Sequence, residues 1–152
     1  MTTITLQTKI KAPIDKVFDL SRNIDVHMKT MSHTQEKAID GRTSGCIELG
    51  ETVRWRGKHF GFYVEHESII SALEKPNHFT DEMVDGHFKW LKHNHIFKEE
   101  NEQTTMIDHF SYQTPFGIFG WLFDQLLLKK HLTTILEKRS EQIKELAEDE
   151  IL

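Results

Sequence analysis

The chain has little of what several classes of protein require. Only one of its 152 residues is a cysteine, Cys46, which excludes an internal disulfide and favours a reducing compartment, with the cytoplasm expected. No apolar run approaches the roughly 20 residues that cross a bilayer, and the N-terminus lacks the apolar core of a signal peptide. Basic residues number 19 against 24 acidic ones, and the net charge of −5 argues against general nucleic-acid binding.

What the chain does have is the length and composition of one domain. With 38% hydrophobic and 28% charged residues it is ordinary for a globular protein, and it is long enough to bury a core. No repeat, linker or low-complexity tract divides it. We therefore expect a single domain over residues 1–152.

Apolar periodicity predicts an α+β order of elements. Ile4, Leu6 and Ile10 alternate with polar residues in a first strand. Two short helices follow Pro13, and Ser21 is the predicted N-cap of the second. Strands and turns then continue to about residue 112, with about six strands in this stretch.

A long C-terminal helix is predicted from about residue 120 to residue 147. Apolar or uncharged side chains recur in it at spacings of four and three, which predicts one buried stripe. The stripe consists of Trp121, Gln125, Leu128, Leu132 and Ile135. The far end, residues 137–150, is rich in charge and is expected to be solvated.

Two neighbouring strand-like runs carry the candidate site. Side chains alternate along a strand, so His93 and His95 share one face with Phe97, and Asp108 shares a face of the next run with Phe110 and Tyr112. If the runs form a hairpin with Phe97 opposite Met106, His95 lies opposite Asp108; a shift by two residues places His93 there instead. Titratable groups in an aromatic wall indicate a small-molecule pocket.

Three chemistries compete for His93, His95 and Asp108. A histidine oriented by a carboxylate can act as a general acid or base. Two imidazoles on one strand face can bind a metal, but no third ligand follows from local spacing, so we expect no metal. The same groups can also simply satisfy one another's buried polarity.

The segment Phe116–Phe123 is apolar on all sides and contains two glycines. It can be a helix start packed on the sheet. It can equally be a lid over a cavity mouth, or a surface that meets a membrane or a second subunit.

Together, these features resemble the START-like superfamily with the helix-grip fold, which includes polyketide cyclase-like proteins and Bet v 1-type allergens. The resemblance runs along almost the whole chain, most closely to a bacterial subgroup of cyclase-like proteins. The motifs that carry it include Ala12-Pro13, Gly50-Glu-Thr-Val-Arg-Trp55, His59-Phe-Gly61, Phe79-Thr-Asp-Glu-Met83, the spacing of Trp90, His93, His95 and Phe97, Pro115-Phe-Gly117, and Leu136 with Arg139. It implies a bent antiparallel sheet wrapped around a long C-terminal helix, with two short helices between the first two strands.

The resulting hypothesis is binding of a hydrophobic or aromatic small molecule between the sheet and the C-terminal helix. The alternatives are a cyclase/dehydrase-type enzyme using a His–Asp couple, and a lipid-handling or interaction protein. We expect no cofactor, no nucleic-acid partner and no stable membrane insertion; a homodimer remains open. The candidate ligand-binding residues are Trp55, Phe88, His93, His95, Phe97, Asp108, Phe110, Tyr112, Phe119, Leu122 and Leu126.

Overall fold

A computed structural model of the chain describes residues 1–149, and in them the predicted order of elements is confirmed. The strands are β1 (Thr2–Ile10), β2 (Lys37–Gly41), β3 (Thr52–His59), β4 (Phe62–Glu74), β5 (His78–Asp85), β6 (Trp90–Glu100) and β7 (Gln103–Gln113). The helices are α1 (Ile14–Arg22), α2 (Ile24–Thr30), α3 (Gly117–Phe123) and α4 (Lys129–Glu148). A 3-10 turn (Ser32–Thr34) follows α2, and a π-helical turn (Asp124–Leu128) joins α3 to α4.

The strands form one antiparallel sheet in the order β1-β7-β6-β5-β4-β3-β2. The two edge strands, β1 and β2, are consecutive in the chain, and α1 and α2 bridge the gap between them. Register shifts in β2 and β4 mark the bulges that help a sheet to curl. The curled sheet and the long C-terminal helix make the helix-grip arrangement, as predicted.

The N-cap predicted for the second helix was wrong. Helix α1 continues through Arg22, so Ser21 lies inside it and its hydroxyl donates to the carbonyl oxygen of Val17 at 2.8 Å. The cap of α2 is Asn23, whose Oδ1 accepts a hydrogen bond from the Val26 amide at 3.0 Å. Asparagine is as good an N-cap as serine, and here it sits at the true boundary.

The predicted burial along the C-terminal helix was partly wrong. Trp121 and Gln125 are exposed, because α3 and the π-helical turn extend beyond the main helix-packing surface. Helix α4 packs on β1, α1 and α2, and its far end is not solvated on every face. Its buried side chains are Ile135, Leu136, Arg139, Ser140, Ile143 and Ala147. Residue 150, the last of the predicted solvated stretch, lies outside the described residues.

Two apolar clusters hold the fold together. The larger joins the helices to the sheet around Phe18, Phe97 and Ile143. The smaller surrounds Tyr112 and Leu136 on the side of β1 and β7. Among residues 1–149, no helix is long and apolar enough to span a membrane.

Candidate functional site: a cavity with a buried polar cluster

A cavity of about 800 Å³ lies between the concave face of the sheet and the C-terminal helix. This volume falls within the range of small-molecule sites. Most of the wall is apolar, with side chains from the sheet, from α1 and α2, and from the helical segment after residue 116. Seven of the ten histidines of the chain also line it: His27, His59, His66, His87, His93, His95 and His131.

Five side chains form a polar cluster in the buried part of the site: Asp81, His93, His95, Asp108 and Arg139. His93 Nε2 lies 2.8 Å from Asp108 Oδ1, and His95 Nε2 lies 2.7 Å from Asp81 Oδ2. His95 Nδ1 lies 3.4 Å from Asp108 Oδ1, an ion-pair contact whose geometry is too poor for a hydrogen bond. Arg139 Nη1 is 3.7 Å from the same oxygen, and Arg139 Nη2 donates to the Ser21 carbonyl oxygen at 3.1 Å.

Strand register explains how this polar cluster forms. Phe97 pairs with Met106 and His95 with Asp108, which is the first of the two predicted registers. On the other side of β6, Asp81 of β5 pairs with His93. The rings of His93 and His95 stack with centroids 3.7 Å apart. Each histidine hydrogen-bonds to the carboxylate diagonal to it, His93 to Asp108 and His95 to Asp81. Arg139 completes the cluster from α4.

The pKa shifts follow from burial and from these contacts. Burial and the neighbouring His95 lower the pKa of His93 to about 4, so His93 is neutral near pH 7. Burial also opposes a charge on His95, but the contacts with Asp108 and Asp81 outweigh it and raise the pKa of His95. Burial acts against both carboxylates as well. Hydrogen bonds from the histidines reverse this, lowering the pKa of Asp81 to about 2 and that of Asp108 well below its usual range.

The positive and negative groups of the polar cluster therefore offset one another in part. The two carboxylates face the guanidinium of Arg139 and the favoured imidazolium of His95, and His93 adds no charge. A neutral His93 that donates its Nε2 hydrogen to Asp108 carries a lone pair on Nδ1. That nitrogen can accept a hydrogen bond from a ligand or take a proton from it, as a histidine oriented by a carboxylate does in general-base catalysis.

The same cluster supplies the third metal ligand that local sequence spacing did not. One ligand atom each from Asp81, His93 and His95 lie within 4.8 Å of one another. Two imidazoles and a carboxylate suit Zn²⁺ with a fourth, open position. Binding would require His95 to give up the proton that its two carboxylate contacts favour, and Arg139 adds a competing positive charge. The absence of a metal therefore stays a prediction, and the site that could contradict it is the one formed by Asp81, His93 and His95.

A second group of titratable side chains lines the cavity on β3, α2 and α4 and just before β2. His59 Nδ1 lies 2.9 Å from His131 Nε2, so one ring donates and the other accepts. Burial lowers the pKa of both His59 and His131. His27 Nε2 lies 2.8 Å from Glu36 Oε1, and the His27 ring packs on Trp55 with centroids 4.1 Å apart. Burial opposes the Glu36 charge, but the contact with His27 outweighs it and lowers the pKa of Glu36.

The structure brings six of the eleven predicted ligand-binding residues to the cavity wall. They are Trp55, Phe88, His93, His95, Phe110 and Phe119. Ligand contact by any of them stays a prediction.

The other five predicted residues lie away from the wall, each for a physical reason. Phe97 is in the larger apolar core, where its ring meets that of Phe18. Asp108 lies behind the two histidines. Tyr112 is buried with its hydroxyl donating to Asp124 Oδ1 at 2.5 Å. Leu122 and Leu126 face solvent, because this part of the helical segment extends beyond the sheet.

Sequence reasoning left out several residues that line the cavity. Asp81 is one of them. Its alternation with Phe79 is the signal that fixes the inner face of β5. Likewise His59 continues the inward alternation of Val53, Trp55 and Gly57 on β3. Arg139 carried no signal beyond its place in the family resemblance.

Comparison with known proteins confirms the fold at low sequence identity. No family model matches this chain, and no curated protein sequence does. A protein of Chromobacterium violaceum has a similar structure with a TM-score of 0.75, 11% identity, and coverage of 97% of this chain and 98% of that one. Major latex-like protein 151 of Panax ginseng gives a TM-score of 0.71, 16% identity, and coverage of 96% and 97%. A protein of Thermus thermophilus gives 0.70, 18%, 93% and 97%. These likenesses establish the helix-grip fold.

Proposed function

We propose that the protein, as a single ligand-binding domain, binds a hydrophobic or aromatic small molecule in the cavity. Apolar and aromatic side chains would supply the affinity. His93 and Arg139 would orient a polar group of the ligand, with Asp108 and His95 holding them in place. From the single cysteine we expect the protein to work in the cytoplasm.

The observation that carries the proposal is the combination of an apolar cavity of about 800 Å³ with one buried polar cluster in its wall. Protein cores are close-packed and contain few voids larger than a water molecule, so a space of this size is not part of an ordinary core. A cluster that served folding alone would not need to border the cavity. His93, His95 and Arg139 all do so.

The test is fluorescence titration with an apolar dye and with a series of fatty acids. Leu132 lines the cavity and is half-buried, so Leu132→Trp fills part of the space. We expect Leu132→Trp to weaken dye binding at least about tenfold, since a bulkier side chain removes volume the ligand needs.

Leu127→Trp is the matched control, because Leu127 lies in the same helical segment but faces solvent. It should leave dye affinity within about twofold. Equal affinity in Leu132→Trp and the wild type would place the dye on the surface and refute binding in the cavity. If Leu132→Trp does weaken dye binding, native mass spectrometry of protein from its own host would identify the natural ligand.

The second candidate is an enzyme of the cyclase/dehydrase type. The observation that favours it is the neutral His93, oriented through its Nε2 by Asp108 at 2.8 Å and bordering the cavity. His93 would act as general base and Asp108 as the group that orients it. Once a ligand is known, Asp108→Asn should abolish its turnover while leaving its binding measurable. Turnover unchanged in that variant would exclude the couple.

A further inference from the structure

The segment after β7 exposes an unusual amount of apolar surface. Ile118, Phe119 and Trp121 of α3 are 72%, 78% and 57% exposed, although no charged residue lies among them. Leu126 and Leu127 of the π-helical turn are exposed as well. Large contiguous apolar patches are uncommon on monomers and mark interaction sites.

Specific contacts hold this segment so that its large side chains point outward. Its one acidic residue, Asp124, is buried and accepts hydrogen bonds from the hydroxyls of Thr2 and Tyr112, both at 2.5 Å. Gly120 is the buried residue of α3, and a Cβ there would lie 1.8 Å from the Pro115 carbonyl oxygen. The small and polar side of the segment thus faces the protein, and the aromatic and aliphatic side faces out.

The turn between β3 and β4 extends the same surface. Phe60, at a φ of 52°, packs its ring on Phe123 with centroids 5.6 Å apart, and Phe62 beyond it is exposed. A bulky residue in the left-handed region is costly and is retained where the surroundings demand it. We call this turn and residues 116–128 together the apolar rim.

The charges that flank the apolar rim along the chain are lysines, and the exposed Glu65 farther along β4 is paired with Arg54. Lys58 precedes the turn, and Lys129 and Lys130 follow the helical segment. From Gln103 to Leu136 the acidic residues are Asp108 and Asp124, and both are buried. An apolar surface with interfacial aromatic residues and flanking lysines is the pattern of segments that lie on anionic membranes. A two-fold dimer through the same surface would instead bring like-charged lysines of two copies together.

The apolar rim is continuous with the cavity. Phe60, Phe116, Phe119 and Phe123 line the cavity and are also exposed, so the cavity opens to solvent through the rim. We propose that the apolar rim docks on an anionic lipid surface, which places the cavity mouth against the bilayer and lets an apolar ligand pass without crossing water. The route for the ligand rests on the proposed function; the docking itself does not.

The test is cosedimentation of the full chain with phosphatidylcholine vesicles, with and without phosphatidylserine. We expect the anionic vesicles to bind at least about tenfold more tightly, with binding that weakens as salt rises. Ile118→Glu should weaken that binding at least about tenfold, since it puts a charge where the helix meets lipid. Lys129→Glu with Lys130→Glu should abolish the preference for anionic vesicles.

Ile39→Glu is the matched control, an exposed isoleucine of β2 outside the apolar rim. It should bind vesicles within about twofold of the wild type. Docking is refuted if the wild type binds no vesicle, or if Ile118→Glu and Ile39→Glu bind equally. A dimer in analytical ultracentrifugation that binds no vesicle and dissociates in Ile118→Glu would assign the rim to a second copy instead.

Failure of docking and failure of the proposed function give different results. Ile118 does not line the cavity, so Ile118→Glu should keep the dye affinity of the wild type in solution. A wild-type chain that takes up dye but binds no vesicle would refute docking and leave the cavity function standing. Vesicle binding by a wild-type chain that takes up no dye in its cavity would refute the cavity function and leave docking standing.

Discussion

The C-terminal helical segment has two halves, residues 116–128 and helix α4. Apolar residues are usually buried and charged ones exposed, but here the apolar half is exposed and the charged half packs on the core. Residues 116–128 are almost entirely apolar, and most of their side chains face solvent. Helix α4 is rich in lysine and glutamate, yet it carries Ile135, Ile143 and Ala147 in the core and Arg139 in the polar cluster. The charged half is therefore the one that holds the fold together.

This inversion teaches that a helix is buried by the surface it meets, not by its own composition. Helix α4 lies along β1 and on α1 and α2, so one narrow apolar stripe is enough to anchor it. The segment before it is held by Asp124 and by the close approach at Gly120. Its apolar side chains are left free for other contacts.

The largest expected difference between the two halves is in stability. Ile143 is 1% exposed, so Ile143→Ala should lower the free energy of unfolding by about 2–5 kcal/mol through lost burial and a cavity. Leu127→Ala, in the exposed half, should change it by less than about 0.5 kcal/mol. Urea denaturation measures both. Similar losses in the two variants would mean that the exposed half packs against part of the protein after all.

Acid should lower the free energy of unfolding, because several histidines of the sheet and of helix α4 are buried in their neutral form. Burial lowers the folded pKa of His59, His66, His93 and His131, so each favours the folded state above its unfolded pKa of about 6.5. That contribution is lost as pH falls through the folded values, about 4 for His93.

The raised pKa of His95 acts in the opposite direction, because its stabilisation is complete below about 6.5 and fades as pH rises through its folded value. The shift of His93 alone predicts a loss of on the order of 2–3 kcal/mol between pH 7 and pH 4.5, by the scale of about 1.4 kcal/mol per pKa unit, and the other buried histidines act in the same direction. Urea midpoints across this range measure it. A midpoint that stays constant or rises on acidification would contradict the burial of these histidines.

A smaller effect is expected when one ion contact of the polar cluster is removed. Asp108→Asn removes a negative charge from beside His95, so the pKa of His95 should fall by about one unit or more in an NMR titration. Asp15→Asn, on the exposed face of α1, is the control and should leave that titration unchanged. An unaltered His95 in Asp108→Asn would show that Asp81 alone sets its charge.

The smallest expected effect is that of added metal. Since the contacts with Asp81 and Asp108 favour a proton on His95, and the guanidinium of Arg139 lies nearby, Zn²⁺ should shift the Tm by less than about 1 °C. Bound metal would stabilise the folded state in proportion to the logarithm of its concentration. A rise in Tm with Zn²⁺ that disappears in His93→Gln would overturn this prediction and make Asp81, His93 and His95 a metal site.

Local patterns in the sequence were enough for most of the fold. Alternation gave β1, and it gave the inner face of β6 with His93, His95 and Phe97, because a strand has only two faces. Counting back from the turn left two registers for Asp108, opposite His95 or opposite His93, and the structure has the first. A helical spacing gave the long C-terminal helix. The sequence by itself thus determined most of the elements and their order, and it narrowed the partner of Asp108 in the site to two histidines.

Only the tertiary structure decided what meets across the fold. Asp81 and Arg139 reach the histidines from β5 and from α4, and no local pattern links positions so far apart in the chain. The same holds for burial along the C-terminal helix. Periodicity fixes which residues share a face, but the curl of the sheet decides which faces find a partner, and it leaves Trp121 in solvent while Arg139 is buried.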